Sequence, residues 1–126
     1  MKIEVSHGEI LDKFSILEIK KEKCKDIEKL ANIATEYNSL KNTSIQFLKN
    51  HECKSLYDDL LEVNLKLWDI EDDIRICEKN KIFDERFIEL ARSVYFTNDK
   101  RAAIKKKINL LLGSNLVEEK VYEEYE

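Results

Sequence analysis

An all-α domain is the fold that this chain predicts, and three observations predict it. The sequence holds no proline and only two glycines, Gly8 and Gly113, whereas a sheet protein needs turn residues about every ten positions. Between Leu56 and Cys77 apolar residues recur in alternating steps of four and three, at Leu56, Leu60, Val63, Leu67, Ile70, Ile74 and Cys77. That spacing draws one stripe along a helix. Charged residues make up 38% of the chain, above the usual quarter, and they fall between the apolar positions as they do on exposed helix faces.

The stripe organises the rest. A second apolar patch, Leu61, Leu65 and Trp68, lies well round from it, so this helix should have neighbours on two sides. Either other helices cover both, or the second patch joins a homodimer, which is the expected state. The expected architecture is a helical bundle around one long central helix, with the whole chain, 1–126, as a single domain.

The elements follow in order. Ile3 and Val5 alternate with polar residues over Met1–Val5, a short strand pattern. Ser6 and Glu9 have capping-box spacing, and Val5 and Ile10 suit a hydrophobic staple. A first helix should then run from about Gly8 to Cys24, with Ile10, Phe14, Leu17 and Cys24 on one face and Lys21 in the same stripe. Asp26 suits the cap of a second helix carrying Ile27, Leu30, Ala34, Tyr37 and Leu40. No proline separates the two, so one bent helix fits the pattern as well. Lys41–Thr43 reads as a turn and Ser44–Lys49 as one further helical turn.

The central helix should span about Glu52 to Lys79, with Asn80 and Lys81 ending it. Asp84 suits the cap of a fourth helix with Phe87, Leu90, Ala91 and Val94 inward. Thr97 or Asn98 should break that run and cap a fifth helix, Asp99–Leu112, built on Ile104, Ile108 and Leu111. Gly113 is the expected stop. Val117 and Val121 restore alternation over Leu116–Tyr122, which would pair with Met1–Val5 as a two-stranded ribbon resting on the helices.

Composition excludes several classes. Net charge is −4, from 22 basic and 26 acidic side chains, and a nucleic-acid binder needs a basic excess to neutralise phosphate. No run of about 18 apolar residues is present and no signal peptide opens the sequence, so no membrane association and a cytoplasmic location are expected. Cys24, Cys53 and Cys77 are odd in number and lack CxxC spacing, which reads as small buried hydrophobes in a reducing compartment. With His7 and His51 as the only histidines, no zinc–thiolate site is expected. No Ser-His-Asp or Cys-His set and no Gly-rich phosphate loop can be assembled, so no catalytic residue, metal or cofactor is assigned.

Two constellations could carry binding. Arg92, Lys100, Arg101, Lys105 and Lys106 cluster near the expected fourth-to-fifth helix junction. There Asn98 and Asp99 would stand at a helix N-terminus, where free N–H groups favour an anion. Arg101 and Lys105 are four apart and share a face. The alternative is a solvated basic face balanced by the acidic tail Glu118, Glu119, Glu123, Glu124 and Glu126. The second constellation is the strip Tyr57, Asn64, Trp68, Glu71, Arg75 and Glu78, which flanks the stripe one position on. Arg75 can pair with Glu71 or Glu78, and a half-buried aromatic beside a paired arginine suits a ligand pocket or an interface.

Acid placement offers less. Glu62, Asp69 and Asp73 share a strip of the central helix, and Glu9, Asp12 and Glu18 lie on the first. All-helical nucleotide pyrophosphatases hold magnesium between such helices, but their paired ExxE and ExxD pattern is not reproduced, Glu9 to Asp12 giving a single ExxD. Lys13 and Lys21 border the apolar stripe of the first helix. Dianion-processing helical enzymes need arginines there, and snorkelling lysines explain the pattern better.

The blocks VSHGEILDKFSILEIKKEK (Val5–Lys23), LWDIEDDIR (Leu67–Arg75) and FDERFIELARSVYFTNDKRAAIKKKIN (Phe83–Asn109) are more specific than bundle filler. Through them the chain resembles a family of short helical proteins from bacteria and viruses known only as a domain of unknown function. The resemblance implies one small intracellular domain and brings no activity, cofactor or catalytic residue.

The function expected on this reading is a non-enzymatic binding or interaction module. It would recognise a protein partner or an anionic ligand of phosphate or sugar-nucleotide type, through Trp68, Glu71, Arg75, Arg92, Asn98, Asp99, Arg101 and Lys105. The alternative is a small magnesium-dependent pyrophosphatase-like or dianion-processing all-α enzyme.

Overall fold

A computed structural model describes residues 1–125 and contains four helices. They are α1 (His7–Lys23), α2 (Ile27–Leu48), α3 (His51–Lys79) and α4 (Glu85–Leu111). Ser6 caps α1, its Oγ accepting the Glu9 N–H at 3.2 Å. Asp26, Asn50 and Asp84 cap α2, α3 and α4 in the same way, through the N–H groups of Lys29, Cys53 and Phe87. Each cap satisfies one of the amides that a helix start leaves without an internal partner.

The long central helix is present, and at 29 residues it extends about 43 Å. α3 packs against all three other helices, and so does α1, whereas α2 and α4 do not meet. The centre is therefore shared by two helices. The main core cluster joins Leu11, Phe14, Cys53, Tyr57, Leu60 and Ile108, flanked by half-buried Tyr37, Leu40, Phe47, Leu56 and Ile104. Phe14 stacks on Tyr37 at 4.7 Å between ring centres.

α1 and α2 are separate helices, as the Asp26 cap predicts, and not one bent helix: Cys24 is extended (ψ 134°) and Asp26 begins the next helix. Three expectations need correction. First, α2 runs without interruption through Lys41–Thr43 and Ser44 to Leu48, because nothing in that stretch breaks the backbone ladder. Second, α4 continues unbroken across Thr97 and Asn98. Thr97 is buried, so packing overrides the modest helix propensity of Thr and Asn. Third, no strand occurs among the described residues, and the ribbon between the chain ends is absent.

Two helix ends show why the chain turns where it does. Gly113 adopts φ +65° after α4, and the Ser114 N–H reaches back to the Asn109 carbonyl at 2.9 Å. Lys81 adopts φ +55° after α3, with Ile82 N–H bonded to the Cys77 carbonyl at 2.9 Å. Both are six-to-one closures around a left-handed residue, which only glycine adopts without steric cost.

Candidate functional site

A buried polar cluster sits at the centre of the bundle, where α1, α3 and α4 converge. The Asp12 side chain is 1% exposed. Arg101 holds it with two parallel bonds, Nε to Oδ1 at 2.9 Å and Nη2 to Oδ2 at 2.5 Å. Asn64 Nδ2 donates to Asp12 Oδ1 at 2.9 Å and to Ser15 Oγ at 2.8 Å, and Ser15 in turn donates to the Asp12 carbonyl. Lys105 Nζ donates to Glu9 at 2.7 Å and stands 3.8 Å from Asp12. Two acids thus face two cations, the arrangement a buried charge needs to persist.

The same seam ties the start of α1 to the end of α4. Gly8 N–H donates to Asn109 Oδ1 at 2.6 Å and His7 N–H to Ser114 Oγ at 3.2 Å. A Cβ on Gly8 would meet the Lys105 carbonyl oxygen at 2.6 Å, so the helices approach this closely only because residue 8 is glycine.

Electrostatics follow from the geometry. The bonds to Asp12 hold the Arg101 guanidinium more basic than usual, against the effect of its burial. Burial would depress the Lys105 ammonium, but its bond to Glu9 and the charges of Asp12, Glu9 and Glu118 outweigh that and raise it. Burial, reinforced by the bond its hydroxyl donates to Glu18 at 2.9 Å, pushes the Tyr57 phenol up.

Outward from this cluster runs an open groove along the second half of α4, of about 1500 Å³. Its other wall is the non-helical segment 115–125, which folds back over α4. Glu118 reaches Lys105 at 3.5 Å, Glu119 reaches Lys106 at 2.9 Å, and Lys120 reaches Asp99 at 3.1 Å. At the far end the Tyr125 hydroxyl donates to Asp99, and its ring packs edge-on against Tyr95 and Phe96 at 5.4 and 5.1 Å. Those bonds from Tyr125 and Lys120 hold the Asp99 carboxyl below its ordinary value.

The residues singled out in the sequence are distributed over several surfaces. Asn98, Asp99, Arg101 and Lys105 share the α4 groove. They line a helix interior there, so the anion site expected at a helix N-terminus does not exist at Asn98 and Asp99. Arg92 lies 5.7 Å over the Phe96 ring. Glu71 and Arg75 form an exposed pair at 2.9 Å, and Trp68 lines a separate groove beside α1 and α2. Tyr57 and Asn64, expected to flank the core, are buried at 3% and 4%.

Local spacing marks Glu9 and Asp12 as acids without showing their partners, gives no sign of Ser15 and Asn109, and leaves the tail glutamates as charge balance. Glu118 and Glu119 do pair with the basic face; Glu126 lies outside the described residues. With Glu9 and Asp12 bound to Lys105 and Arg101, no three His, Cys, Asp or Glu side chains converge as a metal site among the described residues.

No described helix is long and apolar enough to cross a membrane. The model of a family described as a family of unknown function matches residues 1–125. No curated protein and no solved structure matches the chain.

Proposed function

Because the chain belongs to DUF6165, a family of unknown function, no activity comes with membership, and we propose from the geometry that it is a non-enzymatic interaction module. Its binding face is the α4 groove, and its ligand is an extended acidic segment of a partner protein. The observation that carries this reading is the occupant already there: residues 115–125 lie along α4 as a non-helical chain, with Glu118, Glu119 and Tyr125 on Lys105, Lys106 and the Tyr95–Phe96 edge.

Three features make that occupant exchangeable. Its contacts are mostly exposed ion pairs, which contribute about 1 kcal/mol or less each. It supplies no residue to the core cluster or to the hydrophobics packed against it, the last of which is Leu112. Val121 and Tyr122 point to solvent at 95% and 81% exposure, so little apolar area holds it down. Arg101 stays committed to Asp12 and Lys105 is shared between Glu9 and Glu118, while the more exposed Lys106 presents its ammonium group to whichever acid lies in the groove.

The test is fluorescence anisotropy with a labelled peptide of sequence NLVEEKVYEEY, residues 115–125. A chain ending at Ser114 keeps the core cluster and the bonds of Ser114 to His7 and Asn109, and it should bind the peptide. The full chain should bind about tenfold more weakly, because its own segment competes at high effective concentration. Lys106→Glu in the shortened chain should weaken binding, and so should added salt. Equal affinity for the two chains, or no binding by the shortened one, overturns the reading.

A further inference from the structure

Away from the α4 groove, a second groove of about 480 Å³ opens where the end of α1, the α1–α2 connection, α2 and α3 meet. Its volume falls within the range of small-ligand pockets. The floor is apolar, built from Ile33, the half-buried Cys24 and the Trp68 indole. The rim carries Lys20, Lys23 and Lys29 against one acid, Glu36. Three cations over one acid leave the rim at +2, in a chain whose net charge is −4.

No carboxylate pairs with Lys20, Lys23 or Lys29 among the described residues, so their charge is not offset within the groove except by Glu36. Lys20 and Lys23 suit the negative end of α1. Lys29 does not have that justification: it stands in the first turn of α2, three residues after the Asp26 cap, where the helix dipole disfavours a cation. A local rule broken beside an apolar hollow points to a ligand.

We propose that this groove is a binding site for a small aromatic carboxylic acid. A planar ring lies on the Trp68 indole and the Ile33 side chain, where stacking and burial favour it. Its carboxylate sits at the rim between Lys23 and Lys29, which meet it as point charges; no arginine is present to form the planar fork that favours phosphate. The site is independent of the α4 groove and shares no residue with it.

The experiment uses the full chain and 2-naphthoate, with 2-naphthylmethanol as its uncharged counterpart. Trp68 is the only tryptophan, so its emission reports this groove alone, and calorimetry gives affinity without relying on light. Cys24 adds a second reporter, because Cys53 and Cys77 are buried: alkylation of the folded protein by iodoacetamide reads Cys24. The acid should quench Trp68 saturably, slow Cys24 alkylation, and bind about tenfold or more tighter than the alcohol, a difference of about 1.4 kcal/mol. K23E/K29E, both exposed positions, should abolish the preference with the far-ultraviolet helix signal unchanged. Equal affinity for acid and alcohol, quenching that does not saturate, or unchanged alkylation overturns the proposal.

Discussion

Around the Asp12 carboxylate, one arginine, one asparagine and one lysine arrive from two other helices, and the consequences of removing it are calculable in sign. Asp12→Asn leaves the partly buried Arg101 without its counter-ion. The loss should be about 3 kcal/mol, the lower end for broken buried pairs because Arg101 remains 29% exposed. Urea denaturation measures it, and the double change Asp12→Leu with Arg101→Met should cost less than the two single changes summed. Gly8→Ala should cost about 1–3 kcal/mol, since its Cβ meets backbone that cannot step aside. Lys105 has its folded value raised above 10.5, so its contribution to stability is complete at neutral pH and is lost as pH climbs through that raised value. At this scale the sequence was only half legible. Arg101 and Lys105 stood out as cations four apart, but the partner of Arg101 lies 89 residues away, and no local spacing encodes that. Asn64 carried the better clue: with Cys53, Tyr57 and Leu60 it keeps three-four spacing, so a polar residue in that row marks a buried polar contact.

Among the helices, strong start and stop chemistry was readable and weak chemistry was not. Ser6, Asp26 and Asp84 cap where expected, and Gly113 stops α4. Thr97 and Asn98 resemble a cap equally well, yet Thr97 is buried and the helix runs on. Propensities of a few tenths of a kcal/mol decide nothing against burial. The alternation of Val117 and Val121 likewise resembles a strand, but the segment is held through side-chain ions on α4. Its grip should depend on pH. Asp99 has its carboxyl held below 3.8, so its hold on the segment is complete above about pH 4 and is lost as pH falls through the lowered value. Limited proteolysis across that range, with an acid-active protease, should show cleavage within 115–125 rising below pH 4 while the helices persist. At the α3 end, Lys81→Gly should stabilise the chain by about 1 kcal/mol, because the left-handed backbone there strains any side chain. Thermal melts check the direction.

Over the whole molecule, the helical class and the long middle helix were legible because no proline interrupts the chain and the three-four pattern persists. What the pattern could not convey is the company α3 keeps. α1 shares the centre, and the core cluster takes nothing from α3 beyond Leu60 and nothing from α4 before Ile104. The remaining lengths pair as a hairpin, with Asp73 on α3 facing Arg86 on α4. A scaffold locked by a central ion cluster, with α4 as one rigid rail, supports the proposed exchange of its acidic occupant. The decisive measurement is a two-dimensional nitrogen–proton spectrum of the labelled chain ending at Ser114, titrated with the unlabelled 115–125 peptide. The amides of Asp99, Lys105 and Lys106 should move on saturation toward their positions in the full chain, while those of Glu71 and Arg75 stay still. Peaks that stay fixed along α4, or that shift elsewhere instead, would contradict the account.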